Sequence, residues 1–187
     1  MNRQMRAAWL LVPILVACLA SASGAQPVTA RAASCRVVHG WPVLPDGQIL
    51  GQATGVGVDS RGAVLVFHRA GRTWSTPFPA EPIKAPTVWV FDGTSGRVLR
   101  SWGGGEFIMP HGLTVDRQDN VWVTDVGRHQ VLKFSADGRL LLALGERGVP
   151  GADSTHFNLP TDVAVRPDGG IYVSDGYANT RVMRFDA

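Results

Sequence analysis

Three short segments carry side chains able to do acid–base or metal chemistry: "MPHG" with His111, "VFHRAG" with Arg69, and "SDGYAN" with Tyr177. A tyrosine hydroxyl, with an ordinary pKa of about 10, is a poor base unless neighbouring cations favour its anion. An arginine supplies such a cation, and a histidine offers either a proton acceptor or a metal ligand. Bland readings exist for each: His111 as a hydrogen-bonded histidine opening a strand, Tyr177 as a plug in a turn, Arg69 as the partner of an acid such as Asp175. His68, His129 and His156 read as structural. Asp125 and Asp175 read as turn residues whose carboxylates accept from their own following backbone.

The elements that would bring these residues together are legible as a repeat. "MPHGLTVDRQDNVWVTDVGRHQVLKF" from Met109 aligns with "LPTDVAVRPDGGIYVSDGYANTRVMRF" from Leu159, placing Pro110 on Pro160, Val115 on Val165 and Asp125 on Asp175, fifty residues apart. A third copy begins at "GVGVDSRGAVLVFHR", where Gly55 matches Gly112. The later turn is one residue longer than its sibling, and that turn holds Tyr177. Short β-branched and aromatic runs separated by Gly, Asp, Asn and Pro turns predict strands, and no window predicts a long amphipathic helix.

The expected strands are residues 55–59, 64–68, 87–91 and 97–102 in the first unit, then 112–116, 121–125, 130–134 and 139–144 in the second. The third unit has 162–165, 171–175 and 180–185, with no fourth strand. Four-stranded units at this period predict propeller blades, so the fold expected is all-β: nearly three blades of a partial propeller of four-stranded antiparallel sheets. In a blade, the start of the first strand and the loop between the second and third lie at one face. His111, Arg69 and Tyr177 are therefore expected to share that face. The open blade edge predicts self-association, and the missing strand reads as a sign of a piece of a longer propeller. Trp74, Trp89, Trp102 and Trp122 read as core or interblade packing.

The remainder bounds the setting. Arg3 and Arg6 precede an apolar run ending in small residues, so residues 1–25 read as a signal peptide and the protein as secreted or extracytoplasmic. Leu15 to Cys18 offers a competing lipobox-like site, and membrane attachment is expected only with lipidation at Cys18. Residues 26–50 read as a lead-in with at most one short strand near Arg36 to His39, and residues 51–187 as the incomplete propeller. The leader contains two arginines and no acid, so the net charge of +3 falls to +1 without it. That excludes the clustered basic surface of a nucleic-acid-binding domain. Cys35 then stands alone and no internal disulfide is expected. G-x-S-x-G, H-E-x-x-H and C-x-x-C are absent, and the glycines at 103–105 are followed by neither helix nor lysine, which removes a phosphate cradle.

Taken in order, "GQATGVGVD", "VFHR", "PHGLTVD", "VWVTDVGRHQVLKF", "HFNLPTDVAV" and "IYVSDGYANTRV" resemble the first half of the peptidyl-α-hydroxyglycine α-amidating lyases, six-bladed propellers of the NHL-repeat type. The resemblance implies a lyase that splits a peptidyl-α-hydroxyglycine into a peptide amide and glyoxylate, acting on a peptide or small-molecule substrate. It implies Tyr177 as catalytic base, Arg69 as a catalytic arginine, and His111 as one of three zinc-binding histidines. It also implies main-chain carbonyls of Val56 and Leu113 at a calcium. The family pattern places a disulfide where this chain has Asn158 and Ala178, so packing and hydrogen bonds must hold that turn. Two alternatives remain open on the residues: a non-catalytic propeller binding a protein, peptide or glycan, and a calcium-dependent lactonase-like propeller.

Overall fold

The computed structural model describes residues 35–187, so the expected signal peptide and Cys18 lie outside the described residues. Two units are distinguished: Met1–Val37, of which only the exposed Cys35, Arg36 and Val37 are described, and Val38–Ala187. The second unit holds eleven strands. Blade one comprises β1 (Ala53–Val58), β2 (Val64–His68), β3 (Val88–Phe91) and β4 (Val98–Trp102); blade two β5 (Pro110–Val115), β6 (Val121–Asp125), β7 (Gln130–Phe134) and β8 (Leu140–Leu144); blade three β9 (Asp162–Val165), β10 (Ile171–Asp175) and β11 (Arg181–Phe185). Each sheet is an antiparallel meander of sequential strands. Their bounds lie within two residues of those read from the sequence.

Strand periodicity explains the packing. Alternate side chains leave opposite faces of a sheet, so a blade sandwiched between neighbours needs apolar residues at every position of its middle strands. In β6, Val121 and Val123 join Leu65, Phe67, Val88 and Val90 in the cluster between blades one and two, while Trp122 joins Val163, Ile171 and Val173 between blades two and three. Phe67, Phe107 and Phe134 are completely or almost completely buried in the first cluster, each such burial contributing roughly 1.5–3 kcal/mol. The innermost strands β1, β5 and β9 run side by side at glycine contacts. A Cβ on Gly55 would sit 2.6 Å from the Leu113 nitrogen, and one on Gly112 would sit 2.6 Å from the Thr161 carbonyl oxygen. Only glycine permits that approach of backbones.

The lead-in forms no strand at residues 36–39, within the expectation of at most one: Val37 and Val38 are exposed and Gly40 turns the chain at φ +76°. Instead Val43 makes a single bridge to Arg97. Trp41, Leu44 and Leu50 cover Val66, Trp89 and Phe91 on the flank of blade one that has no preceding blade in the described residues.

Turns at the far face follow the repeat. Asp59 accepts from the N–H groups of Arg61 and Ala63, and Asp116 from those of Gln118 and Asn120, at 2.8–3.0 Å. In blade three Arg166 replaces this aspartate, and Asp168 accepts from the Gly170 N–H instead.

Candidate functional site

At the opposite face the ends of β6 and β10 each carry a fully buried aspartate, Asp125 and Asp175. Asp125 accepts from the N–H groups of Gly127 and Arg128 in its own turn, as expected, and also from Ile108 at 2.6 Å and Met109 at 2.9 Å. It thus ties the segment entering β5 to the β6–β7 turn. Asp175 does the same for the segment entering β9, through the Asn158 N–H at 2.8 Å. Contrary to the sequence reading, its oxygens accept no N–H of its own following backbone among the described residues. The longer turn carries those N–H groups away, and the Asn179 amide and Arg181 guanidinium take their place at 2.7 and 2.9 Å. Asp175 is therefore the partner of Arg181 and not of Arg69. Asn158 and Ala178 are joined by a backbone hydrogen bond, the Ala178 N–H donating to the Asn158 carbonyl at 3.4 Å.

In blade one the corresponding position is His68, whose buried ring Nδ1 accepts from the Ala70 N–H at 3.0 Å. His129 Nδ1 likewise accepts from the Leu159 N–H, at 3.3 Å. Both acceptors exist only on the unprotonated nitrogen. Burial lowers the pKa of each, partly opposed by the Leu50 backbone beside His68 and by Asp175 for His129. Where a folded-state pKa lies below the unfolded value near 6.5, the unfolded chain binds more protons, so stability is full above that pH and falls as pH drops through the window beneath it. The midpoint of thermal unfolding is therefore expected to decline as pH falls below about 6.5, with a shallower slope in His68→Gln.

On this scaffold three predicted side chains meet. His111, the second residue of β5, places Nδ1 2.7 Å from the Thr161 carbonyl and Nε2 3.0 Å from the Tyr177 hydroxyl. A carbonyl oxygen only accepts, so Nδ1 carries the proton. In the neutral ring Nε2 is then bare, and the Tyr177 O–H donates to it. The same Thr161 carbonyl accepts from the Thr124 hydroxyl at 2.9 Å, which fixes its direction. Tyr177, 56 % exposed, crosses the His111 ring edge-to-face at 5.1 Å.

Arg69 approaches from blade one. Its Nε donates to the Pro110 carbonyl at 3.0 Å and its Nη1 to Gln52 Oε1 at 2.9 Å, and only 8 % of the residue is exposed. Burial lowers the guanidinium's pKa, while negative charge on Tyr177 and on Asp125 opposes that shift. Between Arg69 and Tyr177 stands Trp74, its ring 5.2 Å from the guanidinium carbon and 5.4 Å from the tyrosine ring. Trp74, read as core or interblade packing, does bridge blades one and three, but at 41 % exposure it does so in this cluster and not in a buried core. A tryptophan in the long connection after Arg69 follows no strand alternation, so no pattern gave its position. Trp89 and Trp122 are buried, and Trp102 packs against Phe134 of the next blade at 5.1 Å, as read.

Thr161 and Gln52 were not read from the sequence as site residues. Thr161 falls on His111 in the repeat alignment, and that equivalence was the available signal. Val56 and Leu113 line an open cleft of about 300 Å³ together with His111, Thr161 and Asp162. His111 is a single imidazole, and no group of three or more His, Cys, Asp or Glu side chains able to hold a metal exists among the described residues. The bare Nε2 suits one zinc ligand, but these residues do not by themselves form a three-ligand centre.

Residues 107–134 match the NHL repeat. The chain is similar to peptidyl-alpha-hydroxyglycine alpha-amidating lyase 2 of Drosophila melanogaster, with 39 % identity over 162 residues that cover 81 % of this chain and 39 % of that relative. It is similar to the probable peptidyl-alpha-hydroxyglycine alpha-amidating lyase pgal-1 of Caenorhabditis elegans, with 41 % identity over 148 residues that cover 74 % of this chain and 42 % of that relative. The chain thus spans about two-fifths of the length of these curated relatives. Among solved structures, a structural genomics protein of unknown function from Bacteroides thetaiotaomicron shares the fold at a TM-score of 0.53 and 17 % identity, covering 73 % of this chain and 33 % of that one.

Proposed function

We propose that this chain, a homologue of the peptidyl-α-hydroxyglycine α-amidating lyases over the span it shares with them, supplies one wall of a carbon–nitrogen lyase site that acts on a peptide ending in α-hydroxyglycine. The observation that carries this reading is the Tyr177 hydroxyl at 3.0 Å from a histidine nitrogen whose tautomer is set by Thr161.

The reaction moves one proton and breaks one bond. The substrate hydroxyl loses its proton, its O–H electron pair becomes the carbonyl of glyoxylate, and the C–N pair leaves with the amide nitrogen, which takes up a proton to give the peptide amide. Such a step needs a positioned acid/base group. Tyr177, more than half exposed, acts as that group once its own proton has left to solvent. The buried Arg69 guanidinium favours the resulting phenolate. Returning the proton to the amide nitrogen restores the starting state.

Zinc and calcium belong to the proposal. His111 Nε2 would be one zinc ligand, with the remaining ligands supplied from outside the described residues, and the carbonyls of Val56 and Leu113 would face a calcium. When bound, zinc would acidify and orient the substrate hydroxyl. It would also occupy the lone pair that now receives the Tyr177 proton, leaving the tyrosine hydroxyl free for substrate. Export, with residues 1–25 as leader, is likewise part of the proposal.

The test is release of glyoxylate from an N-acyl-α-hydroxyglycine dipeptide by the protein, followed with and without added Zn²⁺. Stoichiometric glyoxylate and peptide amide are expected. Binding of the dipeptide without turnover under both conditions would favour the non-catalytic propeller.

A further inference from the structure

The connection between β2 and β3, residues 69–87, far exceeds its blade-two counterpart at residues 126–129. It crosses blade two to reach the turn of blade three. Arg72 Nη1 donates to the Ile108 carbonyl at 2.7 Å, Phe78 packs against Ile108, Met109 and Val126, and Trp74 meets Phe78 at 4.9 Å before reaching Tyr177. Under this loop lies a pocket of about 340 Å³, walled by Trp74, Pro77, Phe78, Gly127, His129 and Leu159. That is within the size range of small-molecule sites. At Gly127 a Cβ would fall 2.4 Å from an Ile108 methyl, so this part of the wall packs directly on Ile108.

We infer that this pocket receives the apolar or aromatic side chain of the residue that precedes the α-hydroxyglycine in the peptide substrate, an inference resting on the lyase reading above. Trp74 is the shared wall: one side touches the Tyr177 ring and the other closes the pocket through Phe78. A substrate whose C–N bond lies at the Tyr177 hydroxyl extends its preceding residue about 3.5 Å further along, a step on the scale of the 5.4 Å between the Tyr177 and Trp74 rings. The lining holds no carboxylate and no ammonium, and the Nδ1 of its one titratable residue, His129, is already used by the Leu159 N–H. A charged side chain entering it would be desolvated without a partner.

The inference is tested by comparing N-acetyl-Phe-, N-acetyl-Gly- and N-acetyl-Arg-α-hydroxyglycine as substrates, with binding of the corresponding N-acetyl amino-acid amides followed in parallel by saturation-transfer NMR. The phenylalanine substrate is expected to exceed the glycine substrate by about tenfold in kcat/KM, and its amide to bind more tightly than glycinamide. Phe78→Ala should remove this advantage. Ser75→Asp, on an exposed loop residue of the same lining and so compatible with folding, should lower the phenylalanine preference and raise that for arginine. Absence of glyoxylate from every substrate would defeat the lyase reading, while the amide binding would still decide the pocket. Equal binding of the phenylalanine and glycine amides, or an unchanged preference in Ser75→Asp, would overturn the pocket assignment.

Discussion

Tyr177→Phe is expected to lower glyoxylate release by about 10²- to 10⁴-fold, the usual contribution of a positioned acid/base group, while the unfolding midpoint barely moves. The variant keeps the ring that meets His111 at 5.1 Å and Trp74 at 5.4 Å, and deletes only the hydroxyl 3.0 Å from Nε2. Tyr177 is more than half exposed, so stability should change by no more than about 0.5 kcal/mol. The loss should fall on kcat and leave KM nearly unchanged, since the hydroxyl acts on the proton in flight. A propeller that only binds its ligand at this face would show no such split. Turnover equal to that of the unaltered protein would remove Tyr177 from the chemistry.

The same residues show what could be read from the chain and what could not. Strands with a neighbour on both faces announce themselves, because "VWVTD" and "QVLKF" must be apolar on successive residues to fill two interblade clusters at once. The alignment of the three units then carries Arg69, His111 and Tyr177 to one face without any knowledge of contacts. What failed to show was anything set by one blade reaching over another. Trp74 sits in a connection with no periodicity, and its place follows from Arg72 and Phe78 anchoring that loop on blade two. Thr161 contributes through its main-chain carbonyl, which no side-chain pattern encodes. His68 read as structural, and it fills in blade one the turn-acceptor role that Asp125 fills in blade two. That equivalence appears only when the acceptor atoms are compared rather than the residue types.

Asp125→Ala is expected to cost about 3–5 kcal/mol of stability, a large part of the roughly 5–15 kcal/mol typical of a whole domain. The carboxylate is fully buried and receives four backbone N–H groups, three on Oδ1 and that of Ile108 on Oδ2. Burial pushes the carboxyl up, and the N–H donors of Met109, Ile108 and Arg128, together with the Arg128 charge, oppose that shift. Alanine would leave those donors buried without acceptors and too far from solvent to recover them. Asp125→Asn separates the two halves of the effect: its carbonyl can keep the three bonds on one oxygen, but its amide would face the Ile108 N–H, donor against donor. The asparagine variant should therefore lie between the native protein and the alanine variant in urea unfolding. Hydrogen exchange should report the loss first at Ile108 and Met109, the residues that lead into Pro110 and His111. A loosened entry to β5 would also move the Pro110 carbonyl that holds Arg69 at 3.0 Å, so catalysis should fall in Asp125→Asn under conditions where the fold survives. An alanine variant as stable as the native chain, with Ile108 and Met109 still protected, would mean that the four N–H groups find other partners and that the segment is held from elsewhere.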